Sequence, residues 1–208
     1  MPEGLSKSAV TRLAGQRPAA GASLGRDVLF GVGGDELDPV FVHVPPGGTF
    51  AVLGGPGSGK TNFLRALQAL NPGTDAWVHP GTVRDPAEFW KGALEKARQG
   101  TLPGSAALLV DDIDLMTAGN LRDLSELHSL GHGVVFTASY SPLLIQRIPL
   151  AMDARAAGRG LLLAPRSMSE GDLFGVRFEI EPNPPPGRGV LIARGKSSAV
   201  QVAWAGTP

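Results

Sequence analysis

The stretch Gly54 to Thr61 reads Gly-Gly-Pro-Gly-Ser-Gly-Lys-Thr and stands between an apolar run, Thr49-Phe-Ala-Val-Leu53, and a helix-compatible stretch from Asn62 to Leu70. Strand, glycine loop and helix in this order leave few folds open. Glycines let backbone N–H groups turn inward around phosphate oxygens, and the helix that follows presents its positive end to them. Lys60 then reaches the β and γ phosphates, and Thr61 holds Mg²⁺. Glycine-rich turns between strand and helix are common, but the complete spacing with both flanks in place is not. The expected ligand is ATP with Mg²⁺, held by Gly54, Gly55, Pro56, Gly57, Ser58, Gly59, Lys60, Thr61 and Asn62.

Such a loop needs a partner for the metal. Ala106-Ala-Leu-Leu-Val110 is a short apolar run of the kind that forms a buried parallel strand, and it ends in Asp111-Asp112. A carboxylate at the carboxyl end of a central strand faces the neighbouring loop and can hold Mg²⁺ directly or through water. Asp111 is thus the metal candidate beside Thr61, and Asp112, one residue nearer the γ-phosphate, is a catalytic candidate with Lys60 and Asp111. Asp111, Asp112 and Asp114 also suit the cap of a helix starting near Leu115.

Composition narrows the class. A chain of 208 residues with 42% hydrophobic content suits one α/β domain. With no cysteine it offers neither a disulfide framework nor a thiolate metal site, so the cytoplasm is the expected compartment. Met1 to Leu24 lacks the apolar core of a signal peptide, and no apolar run reaches membrane-spanning length. Nineteen basic residues balance nineteen acidic ones, whereas a domain that grips nucleic acid alone usually carries a basic excess. Autonomous DNA binding is therefore not expected.

Residues 1–23, rich in Gly, Ala, Pro and Ser, read as a linker or flexible arm, and the folded domain is expected over 24–208. Val28 to Val32 and Val40 to Val44 read as strands joined at Gly33-Gly-Asp-Glu36. After the loop and its helix come a strand at Ala76-Trp-Val78 and a helix from Pro86 to Gln99. The Asp111 strand follows, with a helix ending at Gly131, the strand Gly133 to Thr137, a helix from Pro142 and the strand Leu161 to Ala164. This alternation implies a mainly parallel sheet with helices on both faces. The first two strands, and a carboxyl-terminal hairpin over Gly189 to Trp204, would be small antiparallel edge additions.

Several of these segments together resemble an FtsK/SpoIIIE-type ATPase domain: Leu24-Gly-Arg-Asp, Asp38-Pro-Val, Pro46-Gly-Gly, the Gly54–Thr61 loop, Val110-Asp-Asp-Ile-Asp114, Gly171-Asp-Leu-Phe-Gly-Val-Arg177 and Pro185-Pro-Gly-Arg-Gly189. Within that family the chain is most similar to the last of the three ATPase modules of EccC/EssC, the motor of type VII secretion. The resemblance implies a RecA-like P-loop NTPase fold and neighbouring ATPase modules of the same motor, in a hexameric ring. It also implies tethering to the inner face of the membrane through segments outside this chain, and secreted helical-hairpin substrates. It further suggests that Arg188 borders the base or reaches a phosphate.

The departures matter as well. DNA-pumping members carry Glu after the metal-binding Asp and Ala-Thr-Gln-Arg on the next strand, where this chain has Asp112 and Thr137-Ala-Ser-Tyr140. Asp is one methylene shorter, so an attacking water would be poorly reached. Thr137 or Ser139 can sense the γ-phosphate through a hydroxyl, or simply turn the strand into the next helix. Arg147, Arg155 and Arg159 are arginines a module could offer to a neighbour, or plain surface residues. His128 and His132 are separated by Gly131 and do not share a helix face as zinc ligands would. Trp77, Phe89 and Trp90 read as core or as an interface between modules.

Two readings follow. One is a MgATP-binding module of a secretion motor with weak hydrolysis and a regulatory or structural role. The other is a working FtsK-like translocase with Asp112 as water-positioning base. A standalone P-loop kinase lacks a visible acceptor-binding lid.

Overall fold

The computed structural model describes residues 26–72, 77–81 and 85–206, with the single positions Ser6 and Thr11. Apart from those two, the expected arm lies outside the described residues, as do Leu24, Gly25 and Ala76.

Among the described residues, nine strands, numbered along the chain, form one sheet in the order β2-β1-β9-β8-β7-β3-β6-β5-β4. Its parallel half comprises β3 (Thr49–Gly54), β4 (Trp77–Val78), β5 (Ala107–Val110), β6 (Gly133–Ala138) and β7 (Arg159–Leu163). Every residue of β3, β5 and β6 is buried, which is why these strands read as unbroken apolar runs rather than alternations.

The antiparallel half is one continuous wing. β7 pairs with β8 (Arg188–Ala193), β8 with β9 (Lys196–Val202), β9 with β1 (Arg26–Gly33) and β1 with β2 (Asp38–Val44). The two edge additions expected from sequence are thus joined, by pairing Gly31 to Val202 and Gly33 to Val200. Gly31 permits the junction, because a Cβ there would lie 2.2 Å from the Gln201 carbonyl oxygen. The β1–β2 ladder also slips register between Leu29 and Gly31, a bulge that bends the strand.

Helices cover both faces, as expected. The loop helix α1 (Lys60–Leu70) buries Phe63, Leu64, Leu67 and Leu70 against Phe50 and Val52 of β3, in one cluster with Val28, Phe30 and Val32 of β1. Phe30 meets Phe63 edge-on at 5.4 Å between ring centroids. The opposite face, carrying Ala51 and Leu53, packs under α2 (Pro86–Arg98), α3 (Ala118–Ser129) and α5 (Pro149–Ala157). Strand alternation sends consecutive β3 residues to different cores.

Two helix boundaries differ from expectation. The chain after Asp112 makes a 3-10 turn over Ile113–Leu115, and α3 begins only at Ala118, capped by Thr117, whose hydroxyl accepts the Asn120 N–H. Asp112 makes no capping bond with its side chain, so the capping role belongs to Thr117. The helix expected from Pro142 splits into α4 (Leu144–Arg147) and α5, because Pro149 holds Ile148 extended at φ −123°, ψ 101°.

Candidate nucleotide site

The site forms where β3 hands the chain to α1. Gly57 and Gly59 take φ of 74° and 100°, left-handed conformations that residues with a Cβ rarely adopt. Gly54 is needed for space, since a Cβ there would lie 2.3 Å from the Ser58 hydroxyl. Gly59 caps α1 with no side-chain bond, and the first turn carries no acidic residue. Its leading amides therefore keep no competing carboxylate.

Lys60 is buried, 9% exposed, and its Nζ donates to the carbonyls of Gly54 at 3.0 Å and Gly55 at 3.4 Å. The same Nζ lies 3.3 Å from Asp112 Oδ1. The Thr61 hydroxyl donates to Asp111 Oδ2 at 2.6 Å. Asp111 Oδ1 in turn accepts the Thr137 hydroxyl at 2.6 Å, and Thr137 Oγ1 accepts the Asp112 N–H at 2.7 Å. Asp112 sits in a left-handed bend, φ 45°, ψ 55°, tolerated better by Asp than by most residues. Lys60 and Thr61, at the start of α1, are thus brought together with Asp111 and Asp112, at the end of β5.

The residues fit a magnesium nucleotide. A hydroxyl and a carboxylate converging from Thr61 and Asp111 form the oxygen set Mg²⁺ takes when phosphates complete its shell. The Ser58 hydroxyl is buried in the loop and has no hydrogen-bond partner among the described residues. The clefts bordered wholly by described residues lie away from the loop. One of about 370 Å³, bordered by Asp27, Phe41, His43, Phe50, Arg159 and Arg194, opens where β3 and β7 begin, at the opposite end of those strands.

Other candidates are placed differently. The Asn62 side chain is engaged with the carboxyl-terminal segment: it donates to the Ala203 carbonyl at 2.9 Å and accepts the Ala205 N–H at 3.0 Å. Arg188 begins β8 with its Nε 2.6 Å from Glu181 Oε2. Ser139 gives its backbone N–H to Asp114 Oδ2 at 3.3 Å. Arg147 reaches the Asp114 carbonyl at 3.4 Å, Arg155 is exposed, and Arg159 borders the distant cleft. His128 meets the His132 carbonyl at 3.2 Å and Asp153 at 3.6 Å. Trp90 is core and stacks edge-on with Phe89, while Trp77 is half-buried. Thr137 is the residue whose part sequence reasoning missed. Its link to Asp111 follows from register, one step beyond the paired Val110 and Phe136.

No protein-family model and no curated protein sequence matches the chain. Solved structures do match its shape. The cytoplasmic domain of the type VII secretion ATPase EccC from Thermomonospora curvata superposes with a TM-score of 0.62 at 20% identity, over 100% of this chain and 28% of that one. EssC ATPases 2 and 3 from Geobacillus thermodenitrificans give a TM-score of 0.67 at 17% identity, over 98% of this chain and 45% of that one. ATPases 2 and 3 of Thermomonospora curvata EccC, in complex with a signal sequence peptide, give 0.58 at 20% identity, over 100% and 44%. The chain therefore spans less than half the length of these structures. At such identities the likeness is one of fold, and it bears out the RecA-like architecture and the EccC/EssC resemblance at that level. No helix among the described residues is long and apolar enough to cross a membrane.

Proposed function

We propose that this chain is a MgATP-binding ATPase module of a type VII secretion motor, with weak hydrolysis of its own and a regulatory or structural role. The observation that carries the reading is the convergence of Thr61 on Asp111 at 2.6 Å beside a buried Lys60. Lys60 and the loop amides bind the triphosphate, while Thr61 and Asp111 hold the metal, which when bound neutralises charge on the β and γ oxygens. The Asp112 carboxylate faces Lys60 at 3.3 Å and is short for positioning an attacking water, which supports slow turnover.

The motor assignment draws on the fold shared with EccC and EssC. By extension from the complex with a signal sequence peptide, secreted polypeptides are the substrates proposed for the assembled motor. Neighbouring modules of a ring, and a membrane tether, would lie outside this chain.

Nucleotide titration tests the core of the reading. Parent protein should bind ATP with Mg²⁺, and Lys60→Ala should lose at least roughly ten-fold in affinity, since a charge-assisted contact to phosphate is removed. Equal binding by the variant would reduce the loop to a structural turn.

A further inference from the structure

We infer that Thr137 is a positioning residue for the Asp111 carboxylate, fixing its orientation toward Thr61 and holding the Asp111–Asp112 peptide in its bend. The inference rests on the proposed magnesium-nucleotide site. Strand order supplies the reason such a residue is needed. β5, which delivers Asp111, is not adjacent to β3, which delivers the loop; β6 lies between them. Neighbouring strands are about 4.8 Å apart, so Asp111 must lean across the end of β6 to meet Thr61. Thr137 stands near that end and is fully buried.

The hydroxyl's bonding capacity decides its role. A threonine hydroxyl has one proton and two lone pairs. Its proton goes to Asp111 Oδ1 at 2.6 Å, and one lone pair takes the Asp112 N–H at 2.7 Å. Nothing remains to donate to a phosphate, so in this arrangement Thr137 does not sense the γ-phosphate. With Thr61 on Oδ2, both carboxylate oxygens are held and the plane of the group is set. A β-branched side chain suits the task, because its χ1 is stiff and its hydroxyl does not wander.

The test is calorimetric titration of ATP with Mg²⁺ and with EDTA, using the parent, Thr137→Val, Thr137→Ser and Lys60→Ala. Thr137→Val keeps shape and removes the hydroxyl. It should weaken the Mg²⁺-dependent part of binding roughly ten-fold while metal-free affinity stays within about two-fold, and Thr137→Ser should restore most of the loss. Thr137→Ala must show the same metal-specific loss and replaces the valine variant if that one does not fold. Unchanged Mg²⁺ dependence, or an equal loss with and without metal, overturns the inference while Lys60→Ala still reports a nucleotide site. A parent that binds no ATP overturns the underlying reading instead.

Discussion

Asp112 stands against the lysine proposed to hold the phosphates. Its carboxylate, 40% exposed, lies 3.3 Å from Lys60, the side chain expected to meet the β and γ phosphates. On the proposed reading, incoming nucleotide would displace this internal anion from Lys60. A partly exposed pair of this kind is worth up to about 1 kcal/mol, so Asp112→Asn, which keeps tolerance for the left-handed bend, should tighten ATP binding by up to roughly five-fold. Weaker binding by Asp112→Asn in the same titration would show that the carboxylate assists the nucleotide rather than competing with it. At this scale the loop was legible in the sequence, because its chemistry is written in consecutive residues. Thr137's partnership was not, since it depends on which residues of β5 and β6 stand side by side.

Asn62 stands at an element boundary where two roles compete. It follows Thr61 on the first turn of α1, where a nucleotide contact is the natural expectation, yet its amide bridges Ala203 and Ala205. The carboxyl-terminal segment is thereby fastened to the loop helix, and the Ala203 N–H is also given to Phe30 of β1 at 3.0 Å. Asn62→Ala should lose two hydrogen bonds, about 1–3 kcal/mol, and lower the unfolding midpoint by several degrees while leaving ATP affinity near that of the parent. Thermal melts and a titration on one preparation separate the two effects, and lost affinity at unchanged stability would return Asn62 to the nucleotide. Element types were readable from periodicity and from breakers such as Pro86, which opens α2; Asp85 ahead of it accepts the Ala87 and Glu88 N–H groups. The late start of α3 turned on which of several capping residues won. Thr117 did so because Asp111 and Asp112 are engaged with Thr61, Thr137 and Lys60.

At the scale of the molecule, the union of two hairpins into one antiparallel wing could not be read from local pattern, because β1 and β9 stand at opposite ends of the chain and meet only through tertiary packing. The wing brings β1 onto α1, so the loop helix is braced by both β1 and β3. Among the described residues this brace is apolar and sets the loop helix without adding a cation to it. Arg188 is tied to Glu181, and Arg147 to the Asp114 carbonyl. Hydrolysis needs a positive group at the transferring phosphate, often supplied in trans and worth about 10³–10⁵ in rate. The isolated chain should therefore turn over ATP well below about 1 s⁻¹, and Asp112→Ala should change that rate little. Duplex DNA should not stimulate it either, since 19 basic and 19 acidic residues leave no net charge to release counterions, and contact should stay near the non-specific range of roughly 10⁻⁴–10⁻⁶ M. Steady-state phosphate release with and without DNA measures both expectations. Fast turnover abolished by Asp112→Ala, or a DNA-dependent rise, would make Asp112 a competent base and this chain a translocase in its own right.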